Sequence, residues 1–434
     1  MEPDILADWN PWWTSREVPN TLHRLERSVV DRIMPMMGQE EILSIVGVRR
    51  SGKSTILYQV VRRLLAQGVP PENVMLVSMD DPRIRGAEVG DVLATYRQKK
   101  SPRGRSYVLL DEVQSSEGWE RWVLLDHERR KDVKFIVTGS SSALVRGELA
   151  RLLTGRTRTV RVLPLSFREF LTFRGVKLDA LSGSELRDAA VHQLGRYLEA
   201  GGFPKAVLDD DATRPETLRV YFDTILYRDV VHAHGADPEK LEDLATYVLD
   251  NAGTEQSLRA LEKATGVSVV TVKEYLRHLD EAMMLIDVKA LTFKTKPVTV
   301  ERLPHKYFCI DTGLRNTITS KHSSDLGRLA EGAVCVELVR RGERPRFWRN
   351  AGEVDFVLGR RPGRLMPINV CYSDDAPTRE TRSLRSFRSH VPPPFGVPLL
   401  LTLSTDGESE DVRQVSLWKW LLEDRPAGPV ASSR

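Results

Sequence analysis

The stretch Ile42-Leu43-Ser44-Ile45-Val46-Gly47-Val48-Arg49-Arg50-Ser51-Gly52-Lys53-Ser54-Thr55 decides the fold of this chain. Ile42 to Val46 is a short apolar run, which predicts a buried β-strand. Gly47 follows at once, then four variable residues and Gly52-Lys53-Ser54, then apolar residues at helical spacing: Ile56, Leu57, Val60, Val61, Leu64 and Leu65. A GxxxxGKS string between a strand and a helix is the context that marks a phosphate-binding loop. Glycines let the backbone curl until successive N–H groups face one concavity, and the helix N-terminus adds positive potential there. On this reading Gly47, Arg50, Ser51, Gly52, Lys53, Ser54 and Thr55 cradle a nucleotide. Lys53 reaches the β- and γ-phosphates, and the Ser54 hydroxyl ligates Mg²⁺.

The flanking elements extend the same reading. Val74 to Met79 is a second predicted strand, closed by Asp80-Asp81-Pro82. Tyr107 to Gln114, YVLLDEVQ, is a third, and it delivers Asp111 and Glu112 at its C-terminal end, where ligands bind in open α/β sheets. Hydrolysis needs one carboxylate for the Mg²⁺ shell, assigned to Asp111, and one for the attacking water, assigned to Glu112. A strand between the two motifs, with Glu after Asp, predicts the hydrolysing, additional-strand class of P-loop proteins. The next strand, Lys134 to Thr138, runs into Gly139-Ser140-Ser141-Ser142. Ser140 is the expected γ-phosphate sensor and Thr138 the alternative; Ser141 or Ser142 as a helix N-cap is the structural reading. Arg156, after Thr154-Gly155, is read evenly as an arginine finger for its own or a neighbouring subunit's nucleotide and as a surface residue. Upstream, Trp12 and Trp13 are expected to pack an N-terminal arm on the core, ahead of a predicted helix from Asn20 to Met36.

Composition is that of a globular protein: 41% hydrophobic and 29% charged residues in 434, a length that predicts more than one domain. A net charge of +4 permits nucleic-acid binding without requiring it. Cys309, Cys335 and Cys371 lie far apart and match no metal-ligand spacing, which suits a reducing, cytoplasmic setting. No apolar run approaches a membrane span, so no membrane partner is expected.

Together these motifs resemble archaeal and bacterial AAA-type ATPases that carry a C-terminal domain of uncharacterised function. The resemblance rests on NPWW at Asn10, GVRRSGKST, SMDDP, LLDEVQ with Trp119 after it, IVTGSSS, TGR, LPLSFREF, then YLEAGGFP from Tyr197 and YRDVV from Tyr227. It runs in order over nearly the whole chain and implies ATP as the nucleotide.

Beyond the core, residues 182–250 read as helices interrupted by Gly201-Gly202-Phe203-Pro204, resembling a helical lid. Ser257 to Ile286 then predicts a helix-turn-helix, with a first helix ending at Gly266 and a second capped by Ser268. Its second helix is expected to turn Thr271, Lys273, Arg277 and His278 outward to DNA, with Lys294 and Lys296 on a basic wing meeting phosphates. A protein-interaction role is the alternative for the same module. Glu331 on a predicted helix, Asp355 in a predicted hairpin and the strand Pro367-Ile368-Asn369-Val370-Cys371 resemble a PD-(D/E)XK nuclease fold in which Asn369 and Cys371 replace the acidic residue and lysine. No nuclease activity is therefore expected.

The predicted class is α/β: a P-loop NTPase core over residues 1–180, a helical lid over 181–250, a winged helix over 251–303, an inactive nuclease-like α+β domain over 304–425 and a disordered tail over 426–434. ATP and Mg²⁺ are the expected cofactors, and DNA and further copies of the chain the expected partners.

Overall fold

A computed structural model describes residues 3–139, 155–292, 303–319, 325–359, 365–374, 378–391, 393, 395–408 and 411–423. Ser140, the wing with Lys294 and Lys296, and the 426–434 tail lie outside the described residues. The chain divides into two compact units, 1–162 and 163–434.

The first unit is built on a five-stranded sheet: β1 (Ile42–Gly47), β2 (Val74–Ser78), β3 (Ser106–Asp111), β4 (Val133–Gly139) and β5 (Thr157–Val162). Their order is β2-β3-β4-β1-β5 and every pairing is parallel. This is the α/β fold of P-loop NTPases. β1 is buried along its whole length because both faces are covered, as an all-parallel sheet requires. Ile42 and Val46 pack into the cluster on one face, and Leu43 and Ile45 into the cluster on the other. In sequence β2 intervenes between the two motif strands, but in space β4 separates β1 from β3.

The predicted helix over Asn20–Met36 is corrected. Helical residues occur only at Asn20–His23 and Val29–Ile33, followed by a 3₁₀ turn at Met34–Gly38. The break is held by Gln59, whose amide nitrogen donates to the carbonyls of His23 and Leu25 and whose oxygen accepts from Arg27 N. A side chain of the loop helix thus satisfies backbone groups that a continuous helix would bond internally. Both paired tryptophans pack the arm as expected: the Trp12 and Trp13 indoles donate to the Val74 carbonyl at 3.0 and 2.8 Å.

The second unit carries a nine-stranded sheet. Its strands are β6 (Glu255–Gln256), β7 (Leu285–Ala290), β8 (His305–Cys309), β9 (Arg346–Arg349), β10 (Glu353–Leu358), β11 (Met366–Cys371), β12 (Leu399–Thr402), β13 (Gly407–Glu408) and β14 (Arg413–Ser416). The order is β13-β14-β12-β11-β10-β9-β7-β8-β6. β7, which closes the helix-turn-helix, pairs antiparallel with β8 and parallel with β9, so one sheet crosses the expected boundary at residue 303. Helices Gly183–Ala200 and Leu326–Arg340 pack apolar residues into the core of this sheet.

The helix-turn-helix forms at Leu258–Thr265 and Val269–Glu281. Gly266 ends the first helix at φ 71°, and Ser268 caps the second by accepting from Thr271 N. Each device is legible in sequence, because glycine tolerates the left-handed turn and a serine oxygen satisfies an orphan helix N–H.

Candidate functional site

The helix Lys53–Ala66 starts directly from the loop after β1, so the strand edge and helix N-terminus converge as the motif requires. The two loop glycines do different work. A Cβ on Gly47 would sit 2.2 Å from the Val162 carbonyl oxygen, so close strand packing demands glycine there. Gly52 supplies positive φ, 96°, and Arg50 also turns left-handed at 69°. The Ser51 hydroxyl is buried in this curl and makes no hydrogen bond.

Lys53 is buried and folds back on the loop, donating to the Gly47 carbonyl at 3.0 Å. Its ammonium also stands 4.0 Å from Glu112 Oε1. Ser54 donates to Asp111 Oδ2 at 2.6 Å. The Thr138 hydroxyl donates to the other oxygen, Oδ1, and itself accepts from Glu112 N at 3.1 Å. Gln114 donates to Glu112 Oε2. Burial pushes the Asp111 carboxyl above the usual carboxylate range, and the Ser54 and Thr138 hydrogen bonds only partly offset it.

Glu112 holds a left-handed backbone, φ 50°, which costs a non-glycine residue roughly 1 kcal/mol. That turn sends consecutive carboxylates to different neighbours, Asp111 toward Ser54 and Glu112 toward Lys53. The donor set of one hydroxyl and one carboxylate, with an unsatisfied serine hydroxyl and a lysine beside them, suits a hard divalent cation carrying a phosphorylated ligand.

Thr138 therefore ties the Asp111 carboxylate to the Glu112 backbone N–H. Gln114 and Arg27 are residues that sequence reasoning missed. Arg27 is buried and donates to the Ser51 carbonyl at 2.7 Å, bracing the loop from the N-terminal arm. Arg27 sits on the broken part of the predicted helix and gave no motif signal; Gln114 stood in plain view in LLDEVQ.

Arg156 requires correction as a finger for its own nucleotide. β1 and β5 are parallel with Ile42 opposite Thr157, so Arg156 stands level with the start of β1, roughly 16 Å of strand from the loop. Its guanidinium pairs with Glu128 at 2.9 Å.

His278 requires correction too. It is 4% exposed, turned inward from the second helix to stack on His234 with ring centroids 3.7 Å apart. Helical periodicity puts it on the same side as Tyr275 and Leu279, both buried. Of the other residues expected at DNA, Lys273 and Arg277 are exposed and Thr271 is half-buried. Arg277 is held by Glu281 at 3.0 Å, and the Thr271 hydroxyl by Ser268.

In the C-terminal sheet the expectation of an acidic cluster without lysine is corrected. Lys306, from β8, is 1% exposed and places Nζ 2.6 Å from Glu353 Oε1. Burial alone would lower its pKa; Asp355, Glu331 and Glu353 outweigh that and raise it. Burial raises Glu331 and Asp355, each further raised by a carboxylate neighbour. Asn369 is structural: it accepts from Asp355 N and donates to the carbonyls of Glu353 and Glu380.

Sheet order and loop geometry give the first unit the fold of a P-loop NTPase, and a family model for an AAA domain matches residues 39–171. Models of two domains of unknown function, DUF8612 and DUF4143, match residues 191–325 and 326–420. An uncharacterized protein of Haemophilus influenzae is 30% identical over 350 residues, covering 78% of this chain and 84% of that protein. Another, of Methanocaldococcus jannaschii, is 26% identical over 431 residues, covering 94% and 93%. A Walker-type ATPase of Pyrococcus abyssi overlays with a TM-score of 0.40 and 13% identity, covering 68% of this chain and 95% of that one. The chain belongs to the family of AAA-domain proteins that includes the Haemophilus relative. No helix among the described residues is long and apolar enough to cross a membrane.

Proposed function

We propose that the chain hydrolyses ATP with Mg²⁺ and couples the nucleotide cycle to DNA held by its helix-turn-helix. The observation that carries the hydrolytic part is the continuous hydrogen-bonded path Ser54–Asp111–Thr138–Glu112 beside Lys53. Ser54 and Asp111 would hold Mg²⁺, which supplies charge neutralisation at the phosphates. Lys53 leaves its loop carbonyls for the phosphate oxygens. Glu112, positioned by its left-handed backbone and by Gln114, takes the proton of the attacking water or orients it. Ser140 or Thr138 senses the γ-phosphate. Adenine as the base follows from the family resemblance.

DNA as the partner is supported by the capped helix-turn-helix and by Lys273, exposed on its second helix. With His278 turned inward and Arg277 engaged by Glu281, that surface meets phosphate rather than base edges, so binding would be weakly sequence-dependent. Lys294 and Lys296, expected from the sequence to meet phosphates, would add to that contact. Assembly of several copies into a ring or helical array accompanies this reading.

A second reading is a nucleotide-controlled switch for a protein partner. It is favoured by Val270, 78% exposed on the same helix, beside the exposed acid Glu274. Phosphate release measured with and without duplex DNA at two salt concentrations separates the readings. DNA stimulation that fades with salt supports the first. A rate indifferent to DNA at low salt overturns it in favour of the second. In either case Lys53→Ala is expected to abolish nucleotide binding and turnover.

A further inference from the structure

The inward turn of His278 leaves a group of side chains that neither the ATPase site nor a DNA surface uses. His234 ends the helical segment before Gly235, and His278 and Glu281 lie three residues apart on the second helix of the helix-turn-helix. One donor atom from each of the three lies within 4.8 Å of the others. His278 is 4% exposed and its Nδ1 is buried without a hydrogen bond. That nitrogen stands 3.6 Å from Glu281 Oε2. Two ligands of one tetrahedral zinc ion, each bound at about 2.0–2.1 Å, are separated by roughly 3.3 Å, so the pair needs only a small adjustment.

The surroundings suit a cation. Glu281 divides its oxygens: Oε1 accepts from Arg277 at 3.0 Å, and Oε2 faces the imidazole. The other ring nitrogen of His278 has Glu274 Oε1 at 3.7 Å, the carboxylate partner that orients a ligating histidine; Arg277 Nη2, 3.5 Å away, would have to yield that position. Burial foremost, then His234 and Arg277, lowers the His278 pKa, leaving the ring neutral with a lone pair to donate. The frame is fixed independently, since Asp237 N donates to the Tyr275 hydroxyl at 2.9 Å one turn away. Without a metal, the buried His278 Nδ1 makes no hydrogen bond and has only the Glu281 carboxylate near it.

We propose that His234, His278 and Glu281 form a site for a zinc-class divalent ion, two imidazoles and one carboxylate, that pins the second helix of the helix-turn-helix to the helical segment before it. Two nitrogens with one oxygen select borderline ions such as Zn²⁺ over Mg²⁺ or Ca²⁺.

The test uses the full-length chain, stripped with EDTA, dialysed and titrated with Zn²⁺ against a chromophoric chelator in the absence of nucleotide. Wild type and His232→Ala, a control on an exposed neighbouring histidine, are expected to retain about one Zn²⁺ per chain. His234→Ala and Glu281→Gln are each expected to weaken binding more than about tenfold. His234 is exposed, so its variant should fold, which circular dichroism checks. Co²⁺ is expected to give the visible bands of a four-coordinate ion in wild type and to lose them in His234→Ala. No retained Zn²⁺ in wild type, or equal retention in His234→Ala and Glu281→Gln, overturns the proposal.

Discussion

Two places in this molecule gather carboxylates around a buried lysine, and they differ in how the chain builds them. At the first, Lys53, Asp111 and Glu112 come from two contiguous motifs, and the lysine keeps Glu112 at 4.0 Å while bonding loop carbonyls. At the second, Lys306 from β8 binds Glu353 of β10 at 2.6 Å, with Asp355 and Glu331 close enough to raise its pKa. In the proposed function the first lysine would leave its present partners for a phosphate. The second neutralises charge that would otherwise be buried alone, so it holds the fold together. Similar side chains would thus serve the proposed chemistry in one place and compensation in the other, and the distinction lies in what else each lysine has to bond.

That difference can be broken most decisively at the second lysine. Lys306→Met leaves buried carboxylates unpaired and is expected to cost about 3–5 kcal/mol of stability, read as a lowered urea midpoint. An unchanged midpoint would erase the contrast.

Glu112→Gln probes the other side. It should keep ATP binding and lower phosphate release by about two to three orders of magnitude, with an unaltered melting temperature. Equal turnover would remove Glu112 from the chemistry.

The pH dependence of stability sharpens the comparison further. Asp355 is raised from 3.8 to about 6, chiefly by burial, so the folded chain holds this proton more tightly than the unfolded one. Its contribution is complete below about 3.8 and is lost as pH rises through about 6. Unfolding free energies measured across that window should fall with pH more steeply in wild type than in Asp355→Asn. Parallel curves would refute a burial-raised carboxyl.

The smallest effect is expected on the helix-turn-helix surface. Lys273→Ala should reduce the salt dependence of duplex binding by about one phosphate contact and leave hydrolysis without DNA unchanged. Fluorescence anisotropy across a salt series measures it, and an unaltered slope removes Lys273 from the interface.

Legibility followed the range of the interactions. Gly266 and Ser268 were readable because glycine and a capping serine act within one helical turn. The break after His23 was not, because Gln59, more than thirty residues on, supplies the bonds that make it stable. Lys306 stood unread at the head of an apolar strand, where a buried charge needs something opposite to pair with it.

By itself the sequence determined the phosphate-binding loop, the strand that ends in Asp111 and Glu112, and the capped helix pair, since each depends on residues a few positions apart. Tertiary structure alone decided that Thr138 ties the Asp111 carboxylate to the Glu112 backbone, that Arg156 stands at the end of its sheet away from the loop, that His278 turns to His234 and that Lys306 answers Glu353. Those outcomes depend on strand order and helix docking, which bring together residues that no local spacing relates.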